Sequence, residues 1–158
     1  MRRSDRQISD PAELNRLLDE AQVMRLGMID DGKPYVVPVN FAHVDGVVWI
    51  HSAARGRKLE CLRGGAPVCV EVDHLLRVTT GPQACSDWSS AYESAIGFGT
   101  GDVVEDEELK LEALLAIMRK YSGRDDWEFT PESFKTTAVI RIKLSELTGK
   151  RSPSHGCW

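Results

Sequence analysis

Two turns in the first fifty residues settle what kind of sheet this chain can build. Asp30-Asp31-Gly32-Lys33 separates an apolar run at 23–29 from one at 34–41, and Asp45-Gly46 separates the second run from a third at 47–52. Asp-Gly between two such runs is the pairing that supplies positive φ to a two-residue hairpin. Parallel neighbours need a crossover of a dozen or more residues. The first three strands must therefore be antiparallel, and a doubly wound sheet is excluded. Three more strands follow. At 67–73, Val68, Val70 and Val72 alternate with Cys69 and Glu71; 94–104 contains three glycines that predict a bend or bulge; 136–144 alternates again.

The helical signals are few. Asp10 is placed as an N-cap, Pro11 at the first helical position and Glu13 as the third residue of a capping box, ahead of a face formed by Leu14, Leu17, Leu18 and Ala21. A short helix at 57–63 is stopped by Gly64-Gly65. The segment 106–121 is amphipathic, with Leu109, Leu111, Leu114, Leu115 and Met118 as its apolar stripe, and its acidic start at 105–108 suits the helix dipole. The expected architecture is mainly β: a six-stranded antiparallel barrel decorated by three helices. Between His74 and Glu93 about twenty residues lack periodicity and read as a long functional loop carrying Trp88 and Tyr92.

The densest chemistry lies in His51-Ser52-Ala53-Ala54-Arg55-Gly56-Arg57-Lys58, where a strand hands over to a helix start. Unsatisfied N–H groups, the Ser52 hydroxyl and the cations of Arg55, Arg57 and Lys58 would together suit a phosphomonoester. The Gly-x-x-x-x-Gly-Lys-Ser/Thr spacing of a P-loop is absent. The competing reading is a solvated basic turn.

At 158 residues the chain reads as one domain, with 1–8 and 154–158 as flexible ends. A net charge of −4 argues against nucleic acid as the partner. No apolar run reaches the roughly 18 residues that span a bilayer, and the charged N-terminus lacks a signal-peptide core, so no membrane association and a cytoplasmic location are expected. Cys61, Cys69, Cys85 and Cys157 form no Cys-x-x-Cys pair, so no metal site is expected. Cys61 and Cys69 read as small buried hydrophobes, and His155 with Cys157 as a frayed end. His43 is expected to be exposed and His74 to cap a strand end.

The ordered set of motifs resembles the FMN-binding split-barrel family of pyridoxamine-phosphate-oxidase-like proteins, and within it the nitroimidazole-resistance (Nim-like) branch. The matching pieces are 31–41, Trp49-Ile50-His51-Ser52 with Gly56-Arg57-Lys58, then 69–73, Ile96-Gly97-Phe98-Gly99, and 148–153. The resemblance implies a homodimer with FMN in a groove between subunits. Backbone groups of Val37, Pro38, Val39 and Asn40 would edge the isoalloxazine ring, while His51 and Ser52 sit at the next strand's end. Arg57 and Lys58 would hold the phosphate. His51 would border the reactive face as a proton donor, its ordinary pKa being near 6.5, or be hydrogen-bonded for structure alone. Trp88 and Tyr92 would stack on flavin, or equally plug a barrel end or an interface.

Two departures narrow the activity. Glu93 follows Tyr92 where related sequences place an arginine, and the C-terminal substrate grip of true pyridoxamine phosphate oxidases is missing. The implied function is an FMN-dependent oxidoreductase reducing a small-molecule electron acceptor such as a nitroaromatic. No Gly-x-Gly-x-x-Gly opens a helix, so NAD(P)H would bind only transiently. Two alternatives stand beside it: a flavin carrier or redox sensor without turnover, and a haem-binding split barrel with His51 as axial ligand.

Overall fold

A computed structural model of the protein describes residues 3–83 and 86–152. Its strands are β1 (Gln7–Ile8), β2 (Met24–Asp30), β3 (Lys33–Val39), β4 (Ala42–Val44), β5 (Val47–Ala53), β6 (Ala66–Thr79), β7 (Ser89–Val103) and β8 (Thr137–Ser152). The helices are α1 (Pro11–Glu20), α2 (Arg57–Leu62), α3 (Glu107–Ser122) and α4 (Pro131–Thr136). The strands form one sheet in the order β3-β2-β6-β7-β8-β5-β4, with β1 added on β8. Every pairing is antiparallel. This is the split barrel, built from eight strands rather than six because β1 and β4 are too short to show an alternation.

The first hairpin forms as its turn residues require. Asp31 and Gly32 take φ of 48° and 73°, and Asp30 pairs with Lys33. One face of the sheet closes over Leu17, Leu18, Met24, Leu26, Phe41, Ile50, Leu62, Val70, Val72, Ile140 and Ile142, all fully buried. A second cluster packs α3 and α4 on the opposite face, where Ala113, Leu114 and Val104 meet Val139, Trp49, Phe129 and Phe134. At bound costs of about 1.5–3 kcal/mol for each large side chain left exposed, these two clusters fix which face of each strand looks inward.

Several expectations change. The segment 74–93 is not a long loop: β6 and β7 extend into one arm, paired as far as Thr79 with Ser89, which leaves a connection of nine residues. The buried face of α3 is Ala113, Leu114 and Ile117, and Leu111 is exposed. A helix apolar on several sides lets the surface it meets choose the face. His43 is buried, its side chain only 6% exposed, because α3 covers β4. His74 lies within β6, with Nε2 3.4 Å from the Leu17 carbonyl, and so buttresses α1 instead of capping a strand. Asp10 caps α1 by accepting from the Ala12 N–H, but Glu13 reaches Arg151 at 3.2 Å in place of a reciprocal capping bond. Gln7 and Ile8, placed in a free end by sequence, pair with Lys150 and Gly149. Cys61 and Cys69 are free and half-buried. Cys85, His155 and Cys157 lie outside the described residues.

Candidate functional site at the split

The sheet has two ends, and the chain ties them together. β3 is the last strand on one side, so one edge of Val37, Pro38 and Val39 has no strand beside it. At the other side β4 covers β5 only from Val47 to Trp49, which leaves one edge of Ile50, His51, Ser52 and Ala53 uncovered. Asn40 and Phe41 are the only residues between β3 and β4, so the two open edges flank one split. Unpaired strand edges present backbone N–H and C=O groups that must find partners. Pro34 and Pro38 fit an edge strand, where the missing N–H costs no ladder bond.

The link itself is locked from α3. The Tyr121 hydroxyl accepts from the Phe41 N–H at 3.0 Å and donates to the Gln22 carbonyl at 2.8 Å, and Asn40 Nδ2 donates to the same carbonyl at 3.3 Å. Lys120 donates to the Leu18 carbonyl at 2.9 Å, with its ammonium 3.5 Å from the centre of the Phe41 ring. Burial pulls the Lys120 pKa down to about 8. Sequence reasoning missed this brace, because nothing in helical spacing marks a last-turn tyrosine as the partner of a distant backbone N–H.

β5 delivers His51 and Ser52 toward α2, which opens with Arg57 and Lys58 after Gly56 at φ 136°. With six residues α2 is too short for a strong dipole, and the Leu59 and Glu60 N–H groups both turn back to the Gly56 carbonyl. The positive potential here therefore comes from side chains. Arg57 donates through Nε to Asp30 and stacks 4.2 Å from the Tyr35 ring, so it is pinned to the first hairpin while its side chain stays 53% exposed. Lys58 is half-buried and its ammonium makes no hydrogen bond or ion pair among the described residues. Burial lowers its pKa. Burial first, and the Lys58 charge second, also hold His51 below its ordinary value.

A half-buried ammonium without a carboxylate, beside an imidazole whose charged form it opposes, is a group short of one anion. The Ser52 hydroxyl likewise has no hydrogen-bond partner among the described residues. The residues present fit a phosphate. Arg55 is exposed and takes no contact that adds to this cluster. Trp88 stands apart at the tip of the β6–β7 arm, 51% exposed, with its indole N–H donating to the Gly81 carbonyl at 3.0 Å. Within this single chain its exposed ring is not part of either buried core cluster. Glu93, in place of the arginine, is buried between two arginines: Arg16 Nη2 at 2.8 Å and Arg151 Nε at 2.5 Å. It ties α1 to the end of β8.

The chain belongs to the pyridoxamine 5'-phosphate oxidase family, whose model matches residues 10–151. Among solved structures it is similar to a candidate 5-nitroimidazole antibiotic resistance protein from Bacteroides thetaiotaomicron. That protein is 31% identical, with 92% of this chain and 86% of that one covered and a TM-score of 0.79. The flavocytochrome Anf3 from Azotobacter vinelandii has a TM-score of 0.85 at 20% identity, covering 98% of this chain and 72% of that one. An FAD and haem binding protein from Mycobacterium smegmatis has a TM-score of 0.83 at 24% identity, covering 96% and 77%. The last two share the fold. No curated protein is detectably similar in sequence. Among the described residues no helix is long and apolar enough to cross a membrane, and no group of three or more His, Cys, Asp or Glu side chains is placed to hold a metal.

Proposed function

We propose that this chain is an FMN-binding flavoprotein of the cytoplasm that reduces a small electrophile such as a nitroaromatic. NAD(P)H serves as a transient electron donor, and the working form is a homodimer. The observation that carries the reading is the unpartnered, half-buried Lys58 ammonium at the mouth of a split with two open strand edges. The flavin, once bound, supplies two-electron chemistry that no side chain of this protein can. The chain's own residues do the rest. Lys58 and Arg57 hold the phosphate with Ser52, and the edge of Val37, Pro38, Val39 and Asn40 offers backbone groups to the ring.

His51 holds the proton. Alone, it is kept neutral near pH 7 by burial and by Lys58. A phosphate on Lys58 offsets that charge and lifts the imidazole back toward the range of a general acid. Trp88 reaches a flavin only from the arm of a partner subunit, which is the arrangement the homodimer provides.

The test is binding of FMN and of riboflavin, which has the ring without the phosphate. A charge-assisted hydrogen bond contributes about 1.5–3 kcal/mol, so Arg57→Ala or Lys58→Ala should weaken FMN roughly 10- to 100-fold and leave riboflavin nearly unchanged. FMN bound equally well by the double variant overturns the phosphate clamp. An absorbance spectrum of the purified protein separates flavin from haem. Oxidation of NAD(P)H with a nitroaromatic acceptor separates an enzyme from a carrier.

A further inference from the structure

A concavity of about 760 Å³ lies around the C-terminal end of α2, between that helix and β7 and β8. It adjoins the phosphate clamp without being part of it. Leu59 on its floor follows Lys58 in sequence, and Ala138 on its wall sits opposite Ser52 in the β5–β8 register. The remaining apolar floor is Ala54 and Val103.

The charged groups around this floor are unevenly satisfied. Asp102 is spoken for: Arg141 grips it with Nη2 at 2.8 Å and Nε at 3.2 Å. The side chains of Arg63 and Lys143, by contrast, make no ion pair or hydrogen bond among the described residues. Lys143 is register-paired with Thr100, whose side chain also lines the groove. Glu105, the other acid of the lining, makes no ion pair among the described residues. Gly64 and Gly65, at φ 78° and 85°, add backbone without side chains at the rim.

These features select a ligand class. The volume falls in the range for organic ligands, roughly 300–1,000 Å³, and far exceeds a bare phosphate. Two unpaired cations call for a phosphate, an apolar floor for a flat ring, and a carboxylate and a hydroxyl in the same lining for the hydroxyls of a sugar. We propose that this groove is an adenylate site, with Arg63 and Lys143 on the phosphate, Leu59 and Val103 under the base, and Glu105 and Thr100 toward the ribose. Its purpose rests on the flavin reading. The adenylate arrives either as the far half of a flavin dinucleotide or as part of the nicotinamide donor, docked beside the flavin phosphate.

Calorimetric titration of the full chain with 5′-AMP, adenosine and inorganic phosphate tests the site. Arg63→Ala/Lys143→Ala should weaken 5′-AMP at least about 10-fold, while adenosine and FMN bind as before. Saturable 5′-AMP binding without any FMN binding keeps the adenylate site and sinks the flavin reading. No 5′-AMP binding at millimolar concentration, or equal binding by the double variant, overturns the site. With FMN and FAD compared in the same variant, a preference of the wild type for FAD that the variant loses assigns the adenylate to the flavin. Equal FMN and FAD affinities, with KM for NADH raised in the variant and kcat unchanged, assign it to the donor.

Discussion

At the scale of single residues, the molecule holds charges of both signs away from their ordinary protonation behaviour, and each makes a measurable demand. His51 and His43 are both held below the ordinary histidine value, first by burial. A histidine with a lowered folded pKa binds its proton less readily than the unfolded chain does. The unfolded state therefore gains protons first as pH falls through about 6.5, and stability declines from there until the folded pKa is passed. Denaturant unfolding of the ligand-free protein should show lower stability near pH 5.5 than near pH 7.5, and His51→Gln should flatten part of that slope. Because Lys58 contributes to the His51 shift, Lys58→Met should raise the His51 pKa as read by its ring-proton resonances. An unchanged value would separate the two groups and remove the electrostatic link between Lys58 and the proposed proton donor. Glu93 runs the other way. Burial alone would raise its pKa, but the hydrogen bonds from Arg16 and Arg151 win and hold it low. Its stabilisation is present above its unfolded pKa and lost as pH falls through the folded one. Glu93→Gln leaves two arginines facing a neutral amide and should cost about 2 kcal/mol.

At the scale of elements, the glycines of β7 mark where strands come closest. A Cβ on Gly99 would run into the Lys143 carbonyl, backbone against backbone, where the β7–β8 register shifts between Phe98 and Gly99. Gly99→Ala should therefore destabilise the protein by about 3 kcal/mol or shift the register of β8. A thermal or denaturant midpoint within error of the wild type would count against so close an approach. The sequence shows that glycines at 97, 99 and 101 bend a strand, but not which carbonyl they admit. Legibility followed the same line elsewhere. The Asp31-Gly32 turn was readable because its positive φ needs those residues. The β6–β7 arm was not, because Leu75, Leu76 and Val78 are exposed and erase the alternation that marks a half-buried strand. α4 is too short for a periodic signal. At the site, the cations of Arg57 and Lys58 could be read directly, since charge is a property of residue type. The open edges of β3 and β5 could not, since an edge exists only once the strand order is known. Nor could Tyr121, whose partner lies eighty residues away.

At the scale of the whole molecule, one row of side chains crosses four strands on the face turned away from the main core. Val36, Gly27, Cys69 and Phe98 are successive cross-strand neighbours on β3, β2, β6 and β7. Val36 is 60% exposed and Phe98 50%, with Ile29 at 55% beside them, and together with Pro34 and Pro67 they line a shallow apolar groove of about 330 Å³. Gly27 makes the floor of this groove, because its missing side chain leaves a valley between Val36 and Cys69. A contiguous apolar strip of this kind is costly to leave in water and marks an association surface. The proposed homodimer would give it an occupant, since an isologous contact sets the same strip against itself. Val36→Glu and Phe98→Glu place charges on side chains that are already exposed in one chain, so folding should be preserved. In the dimer they would bury like charges against each other. Sedimentation at micromolar concentration should then show a dimer for the wild type and a folded monomer for the double variant, with FMN affinity reduced in step if the partner's arm helps enclose the flavin. A wild type that sediments as a monomer with FMN bound would remove the dimer and leave the strip without an occupant. A double variant that remains dimeric would place the contact on another face.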